Sequence, residues 1–337
     1  MRPALYDRLR CPQCRARLGL QIDDGTPDDV RGGWLDCLQC IARYPLVDGI
    51  PRFAPVNNYA DSFGALWNTF RHALLDSALG TNHSRDRFLR MTGWTANELQ
   101  GKWLLEIGCG SGRFTEVALA CGANVVAVDY SSAIDVCQRN LSDHPRLHLV
   151  QADVYSLPFR PELFDGVYGF GVLHRTPDAH RALMALPSQL RDGGRLAVDI
   201  APPRWFRRIG PTAWLRWFTT RMPPARAMAL AQTLVMLLFP VQVALGKIPW
   251  IGRRLQRLLP IAPPDALDTC DSTALRDRAR LAMCDRLTAP HHQPCRMTTL
   301  MQWLQEAGLE NSSTMRDGLI VGRGVKSRVM KRESRAA

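Results

Sequence analysis

Several things are missing from this chain, and each absence narrows what it can be. The opening MRPALYDRLRCPQC has no apolar core of the kind a signal peptide needs, so a cytoplasmic protein is expected. Ten cysteines in 337 residues are too sparse for a disulfide scaffold, and an apolar fraction of 46% excludes a disordered chain. No internal repeat is visible. Residues 200–264 contain no acid, yet they hold ten basic residues: Arg204, Arg207, Arg208, Arg216, Arg221, Arg226, Lys247, Arg253, Arg254 and Arg257. The tail 323–337 holds six more against Glu333 alone. Outside these two segments 27 basic residues face 30 acidic ones, so the net charge of +12 is local. A local basic excess suits an anionic partner: nucleic acid, a phosphate-bearing small molecule or an anionic membrane face.

Four of the cysteines fall in a doubled pattern, Cys11-Pro-Gln-Cys14 and Cys37-Leu-Gln-Cys40, with 22 residues between the pairs. Each pair sits on a turn tight enough to bring both sulfurs to one ion, so the four thiolates supply a tetrahedral Zn2+ site. Two disulfides are the alternative, which the expected compartment disfavours. The remaining cysteines lack ligand spacing.

The organisation follows from changes of pattern. Residues 1–56 read as a zinc ribbon whose close, YPLVDGIPRF, is a short strand, an Asp-Gly turn and a proline. Residues 57–100 carry apolar residues at helical spacing (Phe63, Leu66, Trp67, Phe70, Leu74) and read as a helical connector. Over 101–200 short apolar runs alternate with amphipathic segments: WLLEIG, VVAVD, LHLVQAD, FDGVYGF, RLAVDI. That alternation predicts an α/β fold, a Rossmann-like parallel sheet with helices on both faces. A basic, Pro-rich and mostly helical insertion, 201–296, interrupts it. A helix and strand over 297–325 then complete the core, leaving a basic tail at 326–337.

Within the insertion, Ala227–Gly246 runs twenty residues without a charge, between Arg226 and Lys247. Its length would span a bilayer. The interior Pro240, with Gln232 and Gln242, favours a buried or lid helix instead. Flanking arginines and Trp205, Trp214, Trp217 and Trp250 keep peripheral membrane contact open.

The first apolar run of the core ends in Glu106-Ile-Gly108-Cys-Gly110-Ser-Gly112 and leads into a helix. Glycines there let the chain turn sharply and let a ligand approach the backbone. The second run ends in Asp129, placed to accept hydrogen bonds from ribose hydroxyls. The spacing is GxGxG, not the GxGxxG that seats a dinucleotide pyrophosphate.

Over roughly 100–200 and 298–324 these motifs resemble, in order, the class I S-adenosylmethionine-dependent methyltransferases. The resemblance implies that Glu106, Gly108, Gly110 and Gly112 wrap the methionine part of the cofactor. Asp129 would hold the ribose, with Tyr130 beside the adenine. Asp153, in Gln151-Ala-Asp153 with Val154 following, would meet the adenine amino group. The fourth strand, through Gly169 and Phe170 to His174, would face the sulfonium and the acceptor. The turn Arg191–Gly194 is similar to the family's entry to its fifth strand. Arg87, in the connector, could pair with the cofactor's carboxylate.

The ribbon resembles the small zinc-binding activator of tRNA and rRNA methyltransferases and the ribbon of bacterial rRNA guanine methyltransferases. The connector, insertion and closing WLQEAGL look more like a bacterial subgroup assigned to glycan or secondary-metabolite methylation. That subgroup reads Leu-Gln-His-Thr-Pro-Asp after the fourth strand, where this chain reads Leu173-His174-Arg175-Thr176-Pro177-Asp178. The histidine has moved one place and an arginine stands at its position. His174 is therefore the candidate base, and Arg175 a candidate clamp for an anionic acceptor. His291 and His292, in APHHQP, read as a solvated loop.

The expected function is methyl transfer from S-adenosylmethionine to a small molecule, secondary metabolite or glycan intermediate, anionic or amphipathic, beneath the insertion as a lid. The alternative is an enzyme like the azetidine-2-carboxylate synthases, in which the cofactor's amine attacks its own γ-carbon and methylthioadenosine leaves. An rRNA or tRNA methyltransferase is the third reading. Against nucleic acid, the arginines of residues 1–53 are offset by the acidic DDGTPDD.

Overall fold

The computed structural model describes residues 1–55, 58–141, 144–203, 211–246, 272–327 and the isolated positions 248, 252, 256, 259 and 261. Trp205, Trp250, Arg204, Arg207, Arg208, Lys247, Arg253, Arg254, Arg257 and the tail from 328 lie outside the described residues.

The chain opens with a one-turn helix α1 (Pro3–Tyr6) and an antiparallel sheet of four strands in chain order, β1 (Leu18–Thr26), β2 (Asp29–Cys37), β3 (Arg43–Val47) and β4 (Ile50–Pro51). Asp48 and Gly49 join β3 to β4 at φ 51° and 76°, a two-residue hairpin of the left-handed kind that Asp-Gly favours. The helices α2 (Asp61–Thr69), α3 (Asp76–Leu79), α4 (His83–Thr92) and α5 (Ala96–Leu99) form the connector. Leu66 and Phe70 of its apolar stripe are buried.

The core is a seven-stranded sheet made of β5 (Trp103–Ile107), β6 (Asn124–Asp129), β7 (Leu147–Gln151), β8 (Phe164–Gly169), β9 (Leu190–Ile200), β10 (Leu309–Asp317) and β11 (Leu319–Lys326). Their order is β10-β11-β9-β8-β5-β6-β7. The strands β5 to β9 are parallel, and β11 is antiparallel to both its neighbours. The helices α6 (Arg113–Ala120), α7 (Ala133–Leu141) and α8 (Ala179–Ala185) connect the parallel strands. Strand order reverses between β5 and β8, which opens a crevice at their carboxyl ends, where doubly wound sheets bind ligands.

Two details depart from the sequence pattern. The segment Arg191–Gly194 is an irregularity inside β9, with Gly193 at φ 72°, and not a turn before it. The edge strand β10, LENSSTMRD, is polar enough to read as loop, because an edge strand keeps most of its side chains in solvent.

The ribbon is joined to the core by backbone pairing. Arg52 bridges Gln151 in parallel beyond the end of β4, Leu9 bridges Phe159, and the Arg8 guanidinium lies 3.5 Å over the Trp103 ring. Leu5, Leu9 and Leu35 share one apolar interior with Leu105, Val126 and Phe159.

The insertion contributes α9 (Pro211–Thr219), α10 (Pro224–Gly246) and α11 (Ser272–Thr288), after which α12 (Met297–Glu306) leads back to the sheet. Leu66 and Phe70 of the connector pack with Met228, Val235 and Phe239 of α10 and Met283 and Leu287 of α11. The expectation of a buried helix at 227–246 holds for one face only. Among the described residues α10 alone is long and apolar enough to cross a membrane, and 28% of that stretch is buried.

Candidate cofactor site and cysteine cluster

The site begins where β5 ends. Gly108, Gly110 and Gly112 take φ values of 71°, 54° and 93°, the left-handed region that side chains resist. Close approach matters as much as φ. A Cβ on Gly108 would lie 2.2 Å from Val172, and one on Gly110 would lie 2.8 Å from the Trp67 ring. The connector's Trp67 and the fourth strand's exit therefore rest directly on the loop.

Asp129, at the end of β6, ties the loop down. Its Oδ2 accepts the Gly110 amide at 2.9 Å, and Oδ1 accepts the Ser131 amide and hydroxyl at 2.9 and 2.7 Å. Burial raises its pKa, and these donors pull the other way. Glu106 faces inward: its Oε2 accepts the Thr115 hydroxyl and, at 3.1 Å, the Tyr168 hydroxyl. Burial pushes it up to about 7.

The end of β6 is more aromatic than the sequence suggests. Tyr130 is tilted against Tyr59 with ring centroids 5.0 Å apart, and Tyr59 meets His291 at 5.4 Å. Burial, followed by the charge of Asp153, raises the Tyr59 hydroxyl pKa. Asp153 Oδ1 accepts the Tyr155 amide at 3.0 Å and starts a short turn in which Val154 is buried. Tyr59 carries no spacing signal of its own; only the fold brings it to Tyr130.

At the exit of β8, Gly169 and Phe170 are buried, and Phe170 packs on Phe114 at 5.3 Å as part of the core. The Gly171 amide donates to Asp199 at 2.6 Å. Asp199 is buried on β9, and burial pushes it up to about 6 against the charges of Arg87 and Arg113. Sequence reasoning missed Asp199, which stands in the ordinary strand run RLAVDI. Arg87 donates to the Met91 sulfur at 3.4 Å and has no ion pair among the described residues. Arg113 donates to the Ser84 hydroxyl at 2.9 Å; burial, then the charge of Arg87 and more weakly that of Arg278, lowers its pKa to about 10. Arg278, on α11, buries its Nε and Nη1 with no hydrogen-bond partner among the described residues.

Two expectations about the fourth strand's exit change. Arg175 is ion-paired with Asp285 of α11 and is mostly buried, so it ties the strand exit to the insertion and does not stand open for an acceptor. The loop APHHQP keeps Pro290 and Gln293 exposed but is also fastened: the Gln293 amide donates to the His174 carbonyl at 2.9 Å, and Gln293 Oε1 accepts the Ala179 amide at 3.0 Å. His174 is buried, and His292 meets it edge-on at 5.8 Å. A surface cavity of about 440 Å³, lined by Trp94, Lys102, Asp165 and Arg195, opens at the amino ends of β5, β8 and β9, the far end of these strands from the glycine loop.

In the ribbon, the sulfurs of Cys11, Cys14, Cys37 and Cys40 all lie within 4.8 Å of one another. The separations Cys11–Cys40, Cys14–Cys40 and Cys14–Cys37 are 3.7, 3.7 and 3.4 Å. A tetrahedron with Zn–S bonds of about 2.3 Å has edges of roughly 3.8 Å, so the set fits zinc. The Gln39 and Cys40 amides point at the Cys37 sulfur, donors that stabilise a metal-bound thiolate.

A doubly wound sheet with a glycine loop, a buried acid at the end of its second strand and a terminal antiparallel strand is the Rossmann-like arrangement of methyltransferases. Residues 105–198 match the family model for the methyltransferase domain, and this core is a class I S-adenosylmethionine-dependent methyltransferase domain. A tRNA U34 carboxymethyltransferase of Pseudomonas aeruginosa is 32% identical over 206 residues, 55% of this chain and 61% of the relative. A demethylmenaquinone methyltransferase of Clavibacter sepedonicus is 34% identical over 100 residues, 29% of this chain and 40% of the relative. The chain thus spans about three fifths or less of the length of these curated relatives. Among solved structures, an O-methyltransferase family protein of Burkholderia thailandensis aligns with 80% of this chain and 63% of its own at 11% identity, TM-score 0.46.

Proposed function

We propose that the chain transfers a methyl group from S-adenosylmethionine to a small anionic or amphipathic molecule, a secondary-metabolite or glycan intermediate, held between the glycine loop and the insertion. The observation that carries this reading is Arg278: this half-buried arginine of the insertion buries its Nε and Nη1 with no hydrogen-bond partner among the described residues, within reach of the charge of Arg113. Buried N–H donors without a partner are costly, and a carboxylate or phosphate in the acceptor would complete them.

When bound, S-adenosylmethionine supplies a methyl group already activated by a sulfonium. The chain's own work is then alignment and proton removal. Asp129 and Asp153 would hold the ribose and the adenine, and Tyr59 and Tyr130 would flank the ring. Arg87 would take the cofactor's carboxylate. Gly171, held by Asp199, sets the direction of the strand exit that carries His174, whose pairing with His292 makes the two rings the candidate proton path. The cysteine cluster would hold zinc as a structural ion, fixing the ribbon against β7.

The second reading is an RNA substrate, favoured by the tRNA-modifying relative. Both are tested by incubating the purified protein with methyl-labelled S-adenosylmethionine and cell extract split into small-molecule, lipid and RNA fractions. Label in an anionic small-molecule or lipid product supports the first reading. Label confined to RNA establishes the second, and methylthioadenosine formed without extract points to self-cyclisation.

A further inference from the structure

The insertion has a surface that methyl transfer does not use. On α10, Ala227, Met228, Ala231, Val235, Phe239 and Gln242 recur at spacings of three and four and are buried, forming the stripe that packs on α11 and α2. The opposite face is also apolar and lies open: Met236, Leu237, Val241 and Val243 are 54, 62, 45 and 39% exposed. A helix apolar on every side is ordinarily covered on every side. Just before it, α9 and the turn that follows expose Trp214, Trp217, Phe218 and Met222, with the Arg221 guanidinium 4.3 Å over the Trp217 ring.

We propose that this face docks on the surface of an anionic lipid bilayer, with α10 lying in the interface. Charge selects lipid over the other candidates. Residues 200–264 carry ten Lys/Arg and no acid, so nothing in the segment opposes an approach to anionic headgroups. A second copy of the chain would bring the exposed Arg221 and Arg226 of the two faces against each other. An RNA would satisfy the arginines and leave Leu237 and Val241 in water. Tryptophan beside arginine is the composition of the membrane–water boundary, where an amphipathic ring and a charged head both find partners. Crossing the bilayer is excluded by the stripe that α10 buries against α11. Docking there would place the insertion, which carries Arg278, next to a lipid-borne acceptor; the docking itself stands whatever the reaction.

The test is co-sedimentation of the full chain with phosphatidylcholine vesicles and with vesicles also containing phosphatidylglycerol. The expected result is binding to the mixed vesicles, weakened by salt, and at least tenfold weaker in the variant Leu237→Glu/Val241→Glu. Trp214→Ala/Trp217→Ala, which leaves α10 intact, should also weaken it. Unchanged thermal melting and S-adenosylhomocysteine binding in both variants would show that the fold survives. The proposal is overturned if the wild-type chain stays in the supernatant with mixed vesicles, or if both vesicle types bind it equally. It is also overturned if neither variant changes binding, or if the face proves to be a dimer contact, with wild type dimeric and the glutamate variant monomeric.

Discussion

Asp129 accepts the backbone amide of Gly110 at 2.9 Å, so the acid that would hold the ribose also holds the loop that would hold the rest of the cofactor. Cofactor affinity and loop geometry are thereby coupled through one carboxylate.

The loop's tolerance for a side chain is set by Trp67. Gly110→Ala puts a methyl against the indole at a φ that costs an L-residue about 1 kcal/mol on its own. We expect cofactor affinity to fall by roughly tenfold or more. In a Trp67→Ala background the same substitution should cost clearly less, because the contact is with a ring and not with backbone. Calorimetric titration of the four proteins measures the difference; equal losses in both backgrounds would contradict the packing.

The cysteine cluster predicts metal dependence of the whole fold, because the ribbon shares its interior with the sheet. Cys14→Ser should lower the zinc content measured by elemental analysis. Losing several kcal/mol of metal-linked folding energy, at 2–4 °C for each kcal/mol, lowers the melting temperature by roughly 10 °C. A melting temperature unaffected by chelation would leave the cluster without a structural role.

Much of this was legible beforehand, for reasons that differ by element. The runs WLLEIG, VVAVD and LHLVQAD are strands buried on both faces, so hydrophobicity alone marks them. The doubled CxxC and the glycine loop are local in sequence and carry their geometry with them. Tyr59, Trp67 and Asp199 were not legible, because each becomes part of the site through tertiary packing. The edge strand β10 was hidden by its polarity. Arg175 was legible as a charge beside the site, but its partner Asp285 lies 110 residues away.

Burial of Glu106 makes stability pH-dependent. Its pKa rises from the ordinary carboxyl value to about 7, so the folded state favours the protonated form. The stability this confers is complete below about pH 4.5 and is lost as pH climbs through 7. Glu106→Gln should flatten that interval by on the order of 3 kcal/mol, from 1.36 kcal/mol per unit. Urea denaturation at pH 5, 6 and 7 measures it; parallel curves for both proteins would contradict the burial argument.

The Arg175–Asp285 pair predicts equality. Arg175→Ala, Asp285→Ala and the double variant should lose similar stability, with a coupling of about 1 kcal/mol. All three should retain the same cofactor affinity. A role for Arg175 in gripping the acceptor would instead show as a raised KM for acceptor in Arg175→Ala and not in Asp285→Ala.

The central claim is that the crevice at the carboxyl ends of β5 and β8 binds the S-adenosyl group through Asp129, at the end of neighbouring β6. Calorimetric titration of the purified chain with S-adenosylhomocysteine, beside Asp129→Ala confirmed as folded by circular dichroism, tests it most directly. The account predicts one site per chain in the wild type and no measurable binding in the variant. Equal binding by both proteins, or none by the wild type, would contradict it.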